Sequence, residues 1–205
     1  LPAPEFARAL AAHAPGCTTH AHRVRFETTP DEQERPRLEL RLAAADGTPI
    51  EGAGFAFPGD RQPEARLPLP GPEHVGRIGR NHPVLFRLLG ASTADRVRAL
   101  AAAHGLPVTR DTRVLDWGCG CGRTARFFTD VAQYTGADVD GFNVDWCRAH
   151  LPGQWVTLPP HPPTPLPQDA FDLVFGLSVM THLDAPVRAA WLAELARVTA
   201  PGGLA

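Results

Sequence analysis

The sequence has no lysine: all 20 of its basic residues are arginine, and 22 acidic residues bring the formal net charge to −2. Domains whose main partner is nucleic acid usually carry a basic face, so this balance argues against such a partner. Long apolar runs are missing too, because no stretch approaches the roughly 20 apolar residues that cross a bilayer. The composition therefore predicts no nucleic-acid partner and no membrane insertion, and it favours a small-molecule partner.

Cysteine is also scarce. The chain has four cysteines, and only Cys119 and Cys121 are close, with one residue between them. Zinc sites usually leave two to four residues between paired ligands and need a second pair, which is missing. Residues one apart in a tight turn also have poor disulfide geometry. We therefore expect small buried thiols, no metal site and a reducing, cytoplasmic location.

The first 60 residues predict a small β-rich module. Apolar residues alternate over 38–42 and 49–57, and Asp46-Gly47 between them is typical of a hairpin turn. A helix over 3–14 and a strand over 22–28 are predicted before this hairpin. Five prolines between positions 58 and 72 then favour extended structure, so we expect a proline-rich linker over 61–82.

Residues 83–205 predict an α/β domain. Helical and strand patterns alternate along it, which implies right-handed crossovers and a Rossmann-like, doubly wound parallel sheet. Strands are predicted over 113–117, 134–139, 154–158 and 171–177, and helices over 83–89, 93–104, 124–131, 143–150 and 185–198.

A glycine-rich turn follows the first of these strands. In the segment VLDWGCGCGR, over 114–123, the strand runs into Gly118, Gly120 and Gly122 before a predicted helix. Glycine lets a ligand approach the backbone closely, and a helix start offers free N–H donors; the alternative is simply a tight strand–helix junction. Dinucleotide sites prefer G-x-G-x-x-G, whereas this turn is G-x-G-x-G behind Asp116. The acid disfavours a phosphate and favours an ammonium group.

A second acidic position lies about 20 residues further on. Asp138 ends the next predicted strand, where a carboxylate can accept hydrogen bonds from both hydroxyls of a ribose. The alternative is that Asp138 or Asp140 caps the helix that begins near Asn143. Asp138 is the better candidate for the ribose, and the two acids need not share one role.

Three segments, VLDWGCGCGR, GADVDGFNVDWC and FDLVFGLSVMTHLDAPVRAAWLAELARVTAPGG, resemble successive motifs of class I S-adenosylmethionine-dependent methyltransferases. Together they span residues 113–203. The resemblance implies an enzyme that uses S-adenosylmethionine to methylate an acceptor, and the charge balance favours a small molecule of unidentified structure as that acceptor. It also implies the cofactor contacts: Asp116, Gly118, Cys119, Gly120 and Gly122 for the methionine moiety, Asp138 for the ribose, Val139 for the adenine, and Gly176, Leu177 and Ser178 beneath the cofactor.

The sequence departs from this family at two places. Many relatives have an acid soon after the third strand to bind the adenine amino group, but here prolines surround His161, so we expect backbone groups to take this role. A full domain of this type has seven strands, and the sequence ends where the fifth should begin. We therefore expect a sheet truncated after its fourth strand or at the start of its fifth.

Catalytic residues are harder to assign. His182 opens the segment after the fourth strand and is a candidate general base, while helix capping or cofactor packing is the alternative. Arg77, Gly79 and Arg80 form a lead-in segment expected to touch cofactor or substrate. Two other functions stay open: a non-catalytic interaction or regulatory module, suggested by the short sheet, and an NAD-dependent oxidoreductase, disfavoured by the glycine spacing. An oligomer is neither predicted nor excluded.

Overall fold

A computed structural model describes residues 37–43, 49–58, 66–79 and 83–205 of the chain. The chain divides into two compact units, Leu1–Arg66 and Leu67–Ala205. In the first unit, strands β1 (Arg37–Ala43) and β2 (Pro49–Pro58) pair antiparallel, with Leu40 opposite Phe55. This pairing confirms the predicted hairpin strands. The predicted helix over 3–14, the strand over 22–28 and the turn at Asp46-Gly47 lie outside the described residues.

The second unit contains a parallel five-stranded sheet whose strands lie in the order β5-β4-β3-β6-β7. This confirms the Rossmann-like α/β prediction. Its strands are β3 (Arg113–Trp117), β4 (Gln133–Asp138), β5 (Gln154–Thr157), β6 (Phe171–Phe175) and β7 (Thr199–Leu204). Its helices are α1 (Pro72–Arg77), α2 (Pro83–Ala103), α3 (Gly141–His150) and α4 (Ala185–Val198), with 3₁₀ turns at Ala125–Phe127 and Met180–His182.

Successive strand residues point to opposite sides of the sheet, and each side is buried under its own apolar cluster. Val114 and Leu173 belong to one apolar cluster, which also holds buried residues of α2 and α3. Their neighbours Leu115 and Val174 belong to a second cluster, where they pack with Trp191 of α4. Two helical layers therefore cover the strands and leave the carboxyl ends of β3, β4 and β6 at one edge.

The prediction of a helix over 124–131 is wrong. After the glycine turn the chain makes only the 3₁₀ turn Ala125–Phe127. Arg126 and Phe128 are both buried, and the Arg126 guanidinium donates to the carbonyls of Leu67 and Pro68. The Phe127 carbonyl accepts from Arg98. Hydrogen bonds thus tie this segment both to residues 67–68 and to α2.

The two helices predicted over 83–89 and 93–104 are one continuous helix, α2. Gly90 lies inside it at a close approach: a Cβ there would lie 2.3 Å from the carbonyl oxygen of Arg123. The glycine is therefore a packing contact between α2 and the segment after the glycine turn, and it does not interrupt the helix. The helix ends at Ala103, close to the predicted end at 104, and Gly105 follows with a positive φ of 84°.

Two further differences concern the ends of the second unit. The segment predicted as a linker over 61–82 contains helix α1, and residues from Leu67 onward cluster with the second unit. The sheet does not stop at four strands, because β7 begins at Thr199 and pairs in parallel with β6. The Pro201-Gly202-Gly203 segment lies within this strand, at an irregularity in the register.

Candidate functional site

The glycine turn begins where β3 ends and bends the chain back over the sheet. The backbone N–H groups of Gly118 and Cys119 both donate to the carbonyl of Ala137, at 2.7 and 3.2 Å. Gly118 and Gly120 have φ of 79° and 52°, in the left-handed region that favours glycine. A Cβ at Gly118 would also lie 2.2 Å from Cγ2 of Val179. The turn therefore needs glycine for its conformation as well as for ligand access.

Asp116 lies beneath this turn and is almost fully buried. The Tyr134 hydroxyl donates to its Oδ2 at 2.6 Å. Burial raises the pKa of the Asp116 carboxyl to about 7, and the nearby Asp138 adds to this rise, while the Tyr134 hydrogen bond and Arg123 oppose it. Asp116 is thus a carboxyl group whose charge changes near neutral pH and whose ionised form would be favoured by a bound cation.

Asp138 ends β4 beside the same turn. Its Oδ2 accepts from the backbone N–H of Gly120 at 2.7 Å, and its Oδ1 accepts from that of Asp140 at 2.9 Å. A carboxylate has about four acceptor positions, so each oxygen retains one. The backbone thereby orients Asp138 and leaves an acceptor on each oxygen for a vicinal diol. The side chain of Asp140 is not a helix cap, because it accepts from Arg77 and Asn143 instead.

A cavity of about 790 Å³ opens at this edge of the sheet. This size suits a drug-sized ligand or cofactor. Nearly all of the predicted site residues line it: Asp116, Gly118, Cys119, Gly120, Asp138, Val139, Leu177, Ser178 and His182. Val139 and Leu177 are apolar yet about half exposed, at 55% and 45%, so they offer contact surface to a ligand.

Gly122 is placed differently from the prediction. It does not line the cavity, and a Cβ there would lie 2.2 Å from Leu151 and 3.2 Å from the sulfur of Cys147. Its φ of 73° also favours glycine. Gly122 therefore serves the packing of the turn against α3 and its C-terminal end.

The opposite rim of the cavity follows β6. Ser178 has a φ of 64°, and the 3₁₀ turn Met180–His182 comes next. His182 is exposed and lines the cavity. The cap of α4 belongs to Asp184, whose carboxylate accepts from the Val187 N–H at 3.0 Å. Helix capping, one of the two alternatives for His182, is therefore performed by Asp184.

Several lining residues were not singled out as cofactor contacts from the sequence. Pro160 and His161 line the cavity from the loop after β5, and Arg123 lines it from the glycine turn. Their positions in the sequence could have indicated them, because each follows directly or soon after the carboxyl end of a parallel strand. Ligands of such sheets bind at these ends. From the lead-in segment, Arg77 and Gly79 line the cavity together with Ile78, whereas Arg80 lies outside the described residues.

Three of the four cysteines lie in the part of the chain that the structure describes. Cys119, Cys121 and Cys147 are free and buried, as expected for small packing side chains. Burial raises the pKa of the Cys121 thiol to about 12 and that of Cys119 well above its ordinary value, so neither is an activated nucleophile. Within the described parts of the chain, no cluster of three or more metal-binding side chains occurs. No helix in those parts has the length and apolarity to span a membrane.

Comparison with known proteins identifies this region further. A family model described as a methyltransferase domain matches residues 114–203. A sterol 24-C-methyltransferase of Gibberella zeae is 28% identical over 113 residues, which cover 50% of this chain and 28% of that protein. The structure of CalS10, an S-adenosylmethionine-bound amino pentose methyltransferase from Micromonospora echinaspora, is 26% identical, with a TM-score of 0.45. That match covers 67% of this chain and 55% of CalS10.

A third similar protein is a TehB-like S-adenosylmethionine-dependent methyltransferase from Corynebacterium glutamicum. It is 26% identical, with a TM-score of 0.41, and the match covers 56% of this chain and 68% of that one. The chain thus spans little more than a quarter of the sterol methyltransferase and about half of CalS10.

Proposed function

Because residues 114–203 match the methyltransferase-domain family and carry motifs that resemble those of class I S-adenosylmethionine-dependent methyltransferases, we propose that this protein binds S-adenosylmethionine in the cavity and methylates a small-molecule acceptor. The observation that carries the proposal is the pairing of Asp116 and Asp138 at the ends of adjacent strands, both lining one cavity. One acid suits an ammonium group and the other a ribose diol. The cofactor supplies an electrophilic methyl group when bound.

Different residues would contact different parts of the cofactor. The remaining acceptor positions of Asp138 suit the two ribose hydroxyls, and the exposed side chains of Val139 and Leu177 suit the flat apolar faces of a purine. Asp116, with Gly118, Cys119 and Gly120 beside it, would face the amino-acid portion. An ammonium near Asp116 stabilises the carboxylate and so lowers its pKa.

His182 is the proposed proton acceptor for the attacking atom of the acceptor molecule. It lies exposed on the rim and leaves the capping of α4 to Asp184. A neutral imidazole nitrogen can accept a proton from a hydroxyl or ammonium group. Alignment of the two reactants in one cavity would supply much of the remaining rate enhancement.

Titration calorimetry with S-adenosylhomocysteine tests this proposal. We expect the unchanged chain to bind, and Asp138→Asn to bind about 10- to 100-fold more weakly, because the amide retains only one acceptor oxygen. Asp145→Asn is the matched control, since Asp145 lies exposed on the neighbouring helix α3 and outside the cavity. Its affinity should stay within about twofold, a change of less than 0.5 kcal/mol. Absence of binding to the unchanged chain would refute the proposal.

A further inference from the structure

Helix α1 is anchored to the start of α3 by a two-point ion pair. Arg77, the last residue of α1, donates from Nε to Asp140 Oδ2 at 2.5 Å and from Nη2 to Asp140 Oδ1 at 3.0 Å. Its guanidinium also lies 5.5 Å from the ring centre of Phe142. Bidentate pairing fixes orientation as well as distance, so Arg77 holds a defined position relative to the start of α3.

A second contact lies one turn earlier in α1. The His74 ring is buried and stacks on Phe142, with centroids 4.2 Å apart and an interplanar angle of 12°. Its Nδ1 lies 2.9 Å from Oδ1 of Asn143, and Asn143 in turn donates from Nδ2 to Asp140 at 3.2 Å. His74, Asn143, Asp140 and Arg77 thus form one connected polar network between two helices.

This network meets the proposed cofactor site at two places. The backbone N–H of Asp140 donates to Asp138, so the residue that Arg77 holds is also the residue that orients the proposed ribose-binding carboxylate. On the other side, Arg77, Ile78 and Gly79 line the cavity. Ile78 lies against the glycine turn, where a Cβ on Gly120 would be 2.8 Å from its Cγ2.

The ion pair is poorly suited to a mainly stabilising role. The Arg77 side chain is 53% exposed and that of Asp140 is 21% exposed. Solvent and salt screen pairs of this kind, and their effect on global stability is small. The consequences of the pair are therefore expected to be local, at the carboxylate and the cavity wall that it positions.

We propose that Arg77 and Asp140 form a latch that keeps residues 77–79 in place as a wall of the cavity and holds Asp138 in its ligand-binding orientation. Arg77 is thus a positioning residue for cofactor binding, and its effect passes through Asp140. This inference rests on the proposed function, since it takes the ribose of S-adenosylmethionine as the partner of Asp138.

Calorimetry with S-adenosylhomocysteine on the full chain tests the latch. Arg77→Ala should weaken binding about tenfold or more, and Arg77→Lys should recover part of the loss because it keeps the positive charge and a single donor nitrogen. Asp140→Asn breaks the charge pair and keeps an acceptor for Asn143. The variant carrying both Arg77→Ala and Asp140→Asn should bind no more weakly than the worse single variant, since residues in one network are not additive. Arg96→Ala, an exposed arginine on α2 outside the cavity, is the control and should match the unchanged chain.

Two readouts separate positioning from a general structural role. Thermal midpoints of the variants should stay close to that of the unchanged chain. Raising the salt concentration from about 0.05 to 0.5 M should weaken binding by the unchanged chain more than by Arg77→Ala, because only the former has a pair to screen. Unchanged affinity in Arg77→Ala, additive losses or equal salt dependence would overturn the latch. If the unchanged chain binds and Asp138→Asn weakens it, such a result overturns the latch alone, whereas no binding by the unchanged chain overturns both proposals.

Discussion

At the scale of the residue, Asp116 has the most unusual environment of the site. Its carboxyl group is buried next to a single hydroxyl donor, Tyr134, with a second acid nearby. Removing a carboxylate from water favours the protonated form, and no cationic side chain offsets this enough to restore its ordinary pKa. Asp116 therefore gains and loses its proton near neutral pH. The ammonium group of a bound ligand would supply a positive charge beside the carboxylate.

The raised pKa of Asp116 predicts a pH dependence of stability. Its pKa is about 7 in the folded chain and near 3.8 when unfolded, so between these values the folded state binds more protons. The Asp116 contribution to stability is fully present below about pH 4 and is lost as the pH rises through 7. Urea unfolding at pH 5, 6, 7 and 8 should show the unchanged chain losing stability relative to Asp116→Asn across this range.

The Tyr134→Phe variant gives the same experiment a second, independent expected result. Because the hydroxyl stabilises the carboxylate, its removal should raise the pKa of Asp116 further and move the loss of stability to higher pH. Parallel pH profiles for the unchanged chain and Asp116→Asn would contradict the assignment of this proton to Asp116.

At the scale of the element, the glycine turn is a junction that the surrounding elements also shape. Val179, from the segment after β6, occupies the space next to Gly118, and Ile78, after α1, does so next to Gly120. Leu151, at the end of α3, does the same next to Gly122. The turn is thus in contact with three separate parts of the second unit, and a side chain added to it would disturb whichever part it faces.

Alanine substitution separates the two reasons for glycine in this turn. Gly105 has a φ of 84° and nothing within 4 Å of an added Cβ, so Gly105→Ala reports backbone strain alone, roughly 1–2 kcal/mol. Gly118 has a similar φ of 79° and would also place its Cβ 2.2 Å from Val179. We expect Gly118→Ala to lower the free energy of unfolding by roughly 1–3 kcal/mol more than Gly105→Ala. Equal losses, measured by urea unfolding, would mean that Val179 moves away at no cost.

At the scale of the whole molecule, a ligand that binds only the folded chain must stabilise it. S-adenosylhomocysteine at 100 times its dissociation constant should add about 2.7 kcal/mol to the free energy of unfolding of the unit that binds it. Asp138→Asn at the same ligand concentration should gain less, since its dissociation constant is higher. Denaturant unfolding with and without the ligand measures both values.

NAD is the matched comparison in that experiment. The oxidoreductase alternative requires a pyrophosphate at the glycine turn, where Asp116 and Asp138 both lie. NAD at the same concentration should therefore leave the unfolding curve unchanged. Stabilisation by NAD and none by S-adenosylhomocysteine would reverse the assignment of the cofactor.

The sequence by itself determined the order of the strands in the second unit and predicted most of the residues that were later found to line the cavity. Apolar alternation located the four strands that begin near 113, 134, 154 and 171, and the alternation of predicted strands and helices indicated their parallel arrangement, although only a 3₁₀ turn connects β3 to β4. Carboxyl ends of adjacent parallel strands meet at one edge, so Asp116 and Asp138 could be placed together without coordinates. These features are local, or follow from general rules of chain connection.

Only the tertiary structure decided the features that depend on distant partners. The segment over 124–131 has enough helical pattern to predict a helix, but contacts from Leu67, Pro68 and Arg98 hold it as a 3₁₀ turn. The Arg77–Asp140 pair joins residues 63 positions apart, and no periodicity records such a contact. The raised pKa of Asp116 likewise depends on how completely the surrounding layers exclude water, because the free energy of a charge is determined by everything packed around it.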